Sequence, residues 1–230
     1  MKNIKNLRVC KSNALVEASY KLTLNEQRLL LACIAQLDSR KPGPKDFIRI
    51  TAEEYSETFN VNKKIAYEQL RDASKRLYER DIKTYDGRVR ERFRWVYHVK
   101  YYDGEGRVDL GISPSIKPYL TLLHKQFTQY EVKQIASLRS VYSIRLFEML
   151  MRFKTTGKAI IDIDDFKIQL EIADKYKRFS NLKSRVINPA VKELKVKSNL
   201  IIDWSTMKEN RRPTTLIFEF KEDEQLKLAL

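Results

Sequence analysis

Glycine is scarce in this chain, with six among 230 residues. None falls in a glycine-rich run that would cradle a nucleotide phosphate, which argues against an ATPase. Histidine is scarcer still: His98 and His124 are the only two. A metal-dependent nicking enzyme needs histidines and carboxylates gathered around a tyrosine nucleophile, and nothing here clusters in that way. Cys10 and Cys33 are the only cysteines. Two are too few for a disulfide framework or a cysteine zinc site, and they suit a reducing cytoplasm. No run of about 18 apolar residues occurs, so no membrane-spanning helix is expected. Met1–Cys10 lacks the apolar core of a secretory leader. These absences predict a protein that is not an enzyme and carries no cofactor and no metal.

Acidic side chains are the next shortage. Lys+Arg number 45 against 30 Asp+Glu, which leaves a formal charge of +15. Such an excess suits a polyanionic partner: DNA, RNA or an acidic membrane surface. Hydrophobic residues make up 43% of the chain, enough for folded cores. A chain of this length holds one large domain or two small ones.

Local signals divide it into elements. Thr23-Leu-Asn-Glu26 has the spacing of a capping box, in which the Thr hydroxyl and the Glu carboxylate each satisfy a free N–H at the helix start. Leu29, Leu30, Cys33, Ile34 and Leu37 then form an apolar helix face, stopped by Ser39-Arg-Lys-Pro-Gly-Pro44. Leu15, Leu22 and Leu29 are spaced by seven, but the repeat fails at Gln36, and core packing is the better reading. Phe47–Ile50 reads as a strand. Thr51-Ala-Glu-Glu54 is a second capping box, leading a helix with Tyr55 and Phe59. After a turn at 60–62 comes a longer helix with Ile65, Leu70, Ala73 and Leu77 inward. Asp86-Gly87 signals a hairpin. From Val89 to Tyr101 the odd positions are Val, Glu, Phe, Trp, Tyr, Val and Tyr, and the even positions from 88 begin with Arg88, Arg90, Arg92 and Arg94. That period of two predicts a strand with an aromatic face and an arginine face. Val108, Leu110 and Ile112 form the returning strand. Thr128-Gln-Tyr-Glu131 repeats the capping-box spacing, so a boundary is expected near it, giving domains 1–125 and 126–230.

Residues 161–194 read as a strand end, a helix, a basic turn and a second helix, and a weaker copy lies near 50–82. Setting Tyr55 against Phe166 matches Phe59 with Leu170 and Val61 with Ile172. The caps Thr51 and Asp162 then coincide, as do Glu54 and Asp165. Tyr67 and Leu70 meet Phe179 and Leu182 after a one-residue insertion. Asp162, Asp164 and Asp165 are close enough to suggest a cation site, but a helix cap explains them fully. The order helix, strand, helix, turn, helix, hairpin is that of a winged helix. The predicted fold class is therefore α+β, two tandem winged-helix domains related by an internal repeat.

In the second copy the helix opening near Ser180 turns Leu182, Val186, Ala190, Val191 and Leu194 inward. Asn181, Lys183, Ser184, Arg185 and Asn188 fall on the other side. Arg can bond guanine O6 and N7 together, Asn can pair with adenine, and Ser and Lys can hold phosphates. Lys175, Lys177 and Arg178 precede this helix, and Lys208, Arg211 and Arg212 lie in the hairpin loop. A solvated polar face is the plainer reading, but basic flanks on both sides favour DNA contact. Pro189 removes one helical hydrogen bond, so a kink is expected there, or a new helix with Pro in its first turn. In the first copy Lys63, Lys64, Arg71, Lys75 and Arg76 suit phosphates better than base edges. The strand arginines suit DNA, the acids of a dimer partner or a solvated edge equally well.

Two segments carry a family resemblance. Residues 13–31, Asn13-Ala-Leu-Val-Glu-Ala-Ser-Tyr through Leu31, resemble the opening motif of the iteron-binding plasmid replication initiators. Arg185-Val-Ile-Asn-Pro-Ala-Val-Lys-Glu-Leu194 resembles their C-terminal recognition-helix motif. The resemblance runs in matching order along nearly the whole chain. It implies two winged helices that bind one DNA repeat in successive major grooves, the C-terminal one reading bases and the N-terminal one holding the backbone. It implies monomers on direct repeats at an origin, opening of nearby A+T-rich DNA, and recruitment of host initiator and helicase proteins in the bacterial cytoplasm. It also implies a homodimer, formed through the N-terminal unit, that represses the initiator's own gene at an inverted repeat. Arg92, Arg94, Val108 and Leu110 are then the candidate dimer surface. Rival readings are a double winged-helix transcription regulator and an RNA-binding or structural basic protein.

Overall fold

The computed structural model describes residues 3–41, 47–85, 87–102 and 104–223. The chain divides into two compact units, Met1–Ser137 and Leu138–Leu230. The division falls about a dozen residues beyond the boundary expected at 125/126. The reason is a strand pair. β1 (Arg8–Ser12) leads into the short helix α1 (Asn13–Glu17), and residues 127–131 return to pair antiparallel with β1. Thr128 therefore caps no helix. Thr128 and Tyr130 are buried while Phe127 and Gln129 are exposed, the alternation of a strand, and the Thr128 hydroxyl lies 2.8 Å from the Asn13 side chain.

Helix α2 (Leu24–Ile34) opens on the expected capping box, with Thr23 N–H donating to Glu26 at 2.9 Å. It has no solvated face: every residue from Glu26 to Ile34 is buried. The Glu26 carboxylate is fully enclosed and accepts two bonds from the half-exposed Arg80 guanidinium, at 3.0 and 3.1 Å. Leu15, Leu22 and Leu29 are each buried but lie in three separate segments, so they form core and no zipper. Of the proposed stop at Ser39–Pro44, Pro42–Pro44 lie outside the described residues.

β2 (Ile48–Thr51) feeds α3 (Ala52–Phe59), whose capping box Thr51–Glu54 forms as expected. α3 ends with Asn60 in the left-handed region and a Val61 N–H to Ser56 C=O bond of 3.1 Å. α4 (Lys63–Tyr78) packs Ala66, Leu70, Ala73 and Leu77 inward. Ile65, expected with them, is 44% exposed. One residue from Ala66 is a rotation of about 100° around the helix, which carries it off the buried stripe. A hairpin of β3 (Asp81–Tyr85) and β4 (Arg90–Arg94) follows. Of its turn signal, Asp86 lies outside the described residues. β5 (Val96–Tyr102) and β6 (Arg107–Ile112) then complete a three-stranded sheet of order β2-β6-β5.

The single two-faced strand expected over 89–101 is broken at Trp95. Residues before it pair with β3 and residues after it pair with β6. The Trp95 ring is fully buried, edge-on to Tyr20 at 4.9 Å. The register shifts between Val96 and His98, and such a bulge breaks alternation. Tyr97 and Tyr101 are consequently exposed. Val108 and Leu110, two of the dimer-surface candidates, are wholly buried in the central strand of this sheet. They face the unit's own core and offer no side chain to a partner.

β7 (Phe127–Glu131) and α5 (Lys133–Ala136) close the first unit. The second comprises α6 (Val141–Met151), β8 (Lys158–Asp162), α7 (Ile163–Gln169), α8 (Phe179–Leu182), α9 (Asn188–Lys197), β9 (Leu200–Glu209) and β10 (Arg212–Glu222). Gly157, between α6 and β8, has φ +66°, and a Cβ there would stand 2.8 Å from the Phe220 carbonyl oxygen, so only glycine fits without strain.

The repeat is visible in the backbone. The second sheet has order β8-β10-β9, which matches β2-β6-β5 strand for strand. Asp162 caps α7, accepting the Asp164 and Asp165 N–H groups at 2.7 and 3.1 Å. Glu171, matching Asn60, is also left-handed, and Ile172 N–H bonds Lys167 C=O at 2.9 Å, as Val61 bonds Ser56. Each unit also buries an arginine at the same place in its first helix. Arg28 lies over the Phe59 ring at 5.3 Å, and Arg145 donates to the Gln169 carbonyl at 3.2 Å. Both reach the C-terminal end of the second helix, where carbonyls lack intrahelical partners.

Glu193 on α9 ties that helix to the start of α6. Its carboxylate accepts the Arg139 and Ser140 N–H groups at 2.8 and 3.2 Å and pairs with Lys197 at 2.8 Å. Partial burial opposes its ionisation, but the Lys197 and backbone bonds outweigh this and hold the carboxyl below its ordinary range. A depressed folded value contributes stability that is present above the unfolded value and lost as pH falls through the folded one. Urea unfolding followed from neutral to acid pH should show this loss below the usual glutamate range. Glu193→Gln should flatten that part of the profile, and an unchanged profile would remove Glu193 from the linkage.

Candidate nucleic-acid interface

The second unit carries the denser candidate surface. Helix runs from Phe179 to Lys197 as α8, a π-turn over Lys183–Ile187, and α9. The kink expected at Pro189 is replaced by this widened turn just upstream. Asn188 N–H bonds Lys183 C=O, and Pro189 sits in the first turn of α9, where its missing N–H costs little. A wide turn advances less per residue than the ~100° of an α-helix. Ile187 is buried in the core with Val186, Ala190, Val191 and Leu194. Straight helical spacing already places Ile187 on this inner face, four residues before Val191 and seven before Leu194, and the sequence reading passed over it.

Asn181, Ser184, Arg185 and Asn188 recur at helical spacing and are all exposed, forming one outward stripe. Ser180 is exposed at the start of α8. Lys183 leans away from the stripe, its ammonium 5.6 Å from the centre of the Trp204 ring on β9. That contact joins the helix to the wing. Lys175, Lys177 and Arg178 are exposed in the loop before α8. Lys177 lines a cleft of about 170 Å³ with Tyr176, Phe179, Pro213 and Thr214, so loop and wing base are also neighbours.

The wing is the hairpin of β9 and β10, with Lys208 paired to Pro213 and Arg212 to Glu209. Its turn places Asn210 at φ 48° and Arg211 at φ 68°. Two positive φ values suit the right-handed twist of a two-residue hairpin, and Asn-Gly is the favoured pair. Arginine at the second position costs about 1 kcal/mol relative to glycine. Arg211→Gly should therefore raise thermal stability while weakening DNA binding and lowering the salt slope by about 0.9, the worth of one phosphate. Equal slopes for variant and wild type would mean that Arg211 touches no phosphate.

Among the described residues, Lys175, Lys177, Arg178, Arg185, Lys208, Arg211 and Arg212 have no ion-pair partner. Their charge is left for a ligand. The first unit is more self-neutralised. Lys63 pairs with Glu53 at 3.2 Å and Arg71 with Asp72 at 3.7 Å, while Lys64, Lys75 and Arg76 are exposed and unpaired among the described residues. Arg92 pairs with Asp81, and Arg94 with Glu79 at 3.4 Å and Asp81 at 3.9 Å, all next to or within their own hairpin. Among the described residues no group of His, Cys, Asp and Glu is placed to hold a metal ion. No helix there is long and apolar enough to cross a membrane.

Comparison with known proteins meets this geometry. Residues 8–151 match the family described as Initiator Replication protein, WH1, and residues 162–220 that described as Initiator Rep protein, WH2. A replication initiation protein of Escherichia coli is 32% identical over 233 residues, covering 96% of this chain and 72% of the relative. The Escherichia coli PI protein is 25% identical over 257 residues, covering 96% of this chain and 84% of its own length. The crystal structure of the Pi initiator protein in complex with iteron DNA aligns with a TM-score of 0.83 at 24% identity, over 96% of this chain and 99% of that one. At that identity the likeness speaks for the fold, which is two winged helices in tandem. With both family matches in chain order and together reaching both units, the chain belongs to the initiator replication proteins.

Proposed function

We propose that this chain starts plasmid replication by binding repeated double-stranded sequences at an origin. The observation that carries this is the unneutralised basic surface of helix, loop and wing in the second unit of an initiator-family chain. Asn181, Ser184, Arg185 and Asn188 enter a major groove and read base edges. Lys175, Lys177, Arg178, Ser180, Lys208, Arg211 and Arg212 hold phosphates on either side. Lys183 braces helix against wing, and Lys64, Lys75 and Arg76 hold the backbone from the first unit. Lys63 and Arg71 join them once their surface ion pairs, worth little in water, exchange for phosphate.

The fuller cycle belongs to the same proposal. Monomers act on direct repeats, open adjacent DNA and recruit host initiator and helicase proteins in the bacterial cytoplasm. A homodimer formed through the first unit represses the chain's own gene at an inverted repeat. Arg92 and Arg94 remain its candidate contacts, because both stay accessible beside their acidic neighbours. The decisive experiment supplies the chain in trans to a DNA circle whose only origin is a set of such repeats. Maintenance of the circle is expected. Loss of the circle with intact binding to the repeats would overturn the initiator role and assign a transcription regulator.

A further inference from the structure

The outward stripe of α4 holds two residues that phosphate binding does not explain. Ile65 lies in the first turn and is 44% exposed, although Ala66 beside it is completely buried. An isoleucine held in water on a helix that already has a full core stripe gains nothing from its own fold. Glu68, one turn further on, is exposed and has no ion-pair partner among the described residues. A carboxylate facing a phosphate backbone would be repelled by it. Both types do suit base edges: an apolar side chain packs on the thymine 5-methyl group, and a carboxylate accepts from cytosine N4. The cations around them fit the same occupant, since Lys64, Lys75 and Arg76 are exposed and unpaired on this helix among the described residues. Lys177, the counterpart of Ile65 in the second unit, is also exposed, but it lies in the loop before α8 and not on the helix.

We infer that α4 is a second base-reading helix, in which Ile65 selects a thymine through its methyl group and Glu68 a neighbouring cytosine. The inference rests on the reading that α4 faces duplex DNA, and it changes the first unit from a backbone clamp into part of the sequence reader. It also implies that the recognised repeat contains positions whose identity does not depend on α8 or α9.

The probe is a duplex selected by the wild-type chain from a randomised pool. Each of its thymines is replaced singly by deoxyuridine, which deletes only the methyl group. One or two positions should weaken wild-type binding about fourfold, the worth of one buried methyl. Ile65→Ala, which alanine's high helix propensity makes safe for folding, should bind the thymine and deoxyuridine duplexes equally at those positions. Ile65→Leu should restore part of the difference. A thymine preference that survives in Ile65→Ala at every position would overturn the inference. A separate arm tests the underlying reading: Lys64→Ala with Lys75→Ala should lower the salt slope by about 0.9 for each phosphate that the variant no longer neutralises. An unchanged slope there would mean that α4 faces away from DNA, and would overturn both.

Discussion

Arg185→Ala should collapse the difference in affinity between the chain's own repeat and unrelated DNA, while salt-sensitive binding persists. Arg185 stands on the exposed side of the widened turn, between Ser184 and Asn188, with no ion-pair partner among the described residues. A bidentate arginine–guanine pair discriminates against a wrong base by about 1–3 kcal/mol, which is roughly 5- to 150-fold. Phosphate contacts carry no such information, so the loop and wing cations should hold the variant on any duplex. Competition between the repeat and a scrambled duplex, repeated at several salt concentrations, separates the two effects. A preserved ratio with a reduced salt slope would make Arg185 a phosphate ligand instead.

Arg145→Ala should be the most damaging single change to the second unit. The Arg145 side chain is 2% exposed, lies 3.5 Å from the Glu148 carboxylate, and donates to the Gln169 carbonyl at 3.2 Å. Glu148 is completely buried. Removing the arginine takes a cation away from a carboxylate in the core, and deleting one partner of a buried pair costs about 3–5 kcal/mol. Typical domain stability is about 5–15 kcal/mol, so the unit should lie near its unfolding threshold at 37 °C. Thermal and urea melts should show it, and DNA binding should fall with the folded fraction. The double change Arg145→Met, Glu148→Leu should recover most of the stability, because an apolar pair replaces a buried ionic one at little cost. A single variant as stable as wild type would mean that Arg145 does not neutralise Glu148.

Because Arg145 reaches the end of α7, its removal also frees the turn that leads to Lys175, Lys177 and Arg178. The equivalent Arg28 does the same service in the first unit through the Phe59 ring. Neither was legible beforehand, since a buried arginine has the same letter as an exposed one, and only packing tells them apart. The repeat itself was legible. Thr51, Glu54, Asp162 and Asp165 act on backbone groups within three residues of themselves, so their chemistry is complete in a short window. The outward stripe running from α8 to Asn188 followed for the same reason, from spacing along one helix.

The misreadings share the opposite cause. Thr128–Glu131 has the letters of a capping box, but its partner strand begins at Arg8, and the bond between Thr128 and Asn13 spans 115 residues. Val89–Tyr101 has strand periodicity throughout, yet the chain changes partners at Trp95, and no count of alternating letters reveals a change of partner. Val108 and Leu110 read as one face of a strand, and which face meets the core depends on the helices that cover it.

The sequence by itself determined the charge excess, the caps, the doubled winged-helix order and the polar stripe that runs from α8 to Asn188, because each depends on neighbours a few residues away. Tertiary structure alone decided where the first unit ends, that Val108 and Leu110 are core, that Ile65 is surface, and that the π-turn carries the chain past Pro189. Those outcomes depend on strand pairing and helix packing between distant segments, where burial is settled by what arrives to cover a side chain.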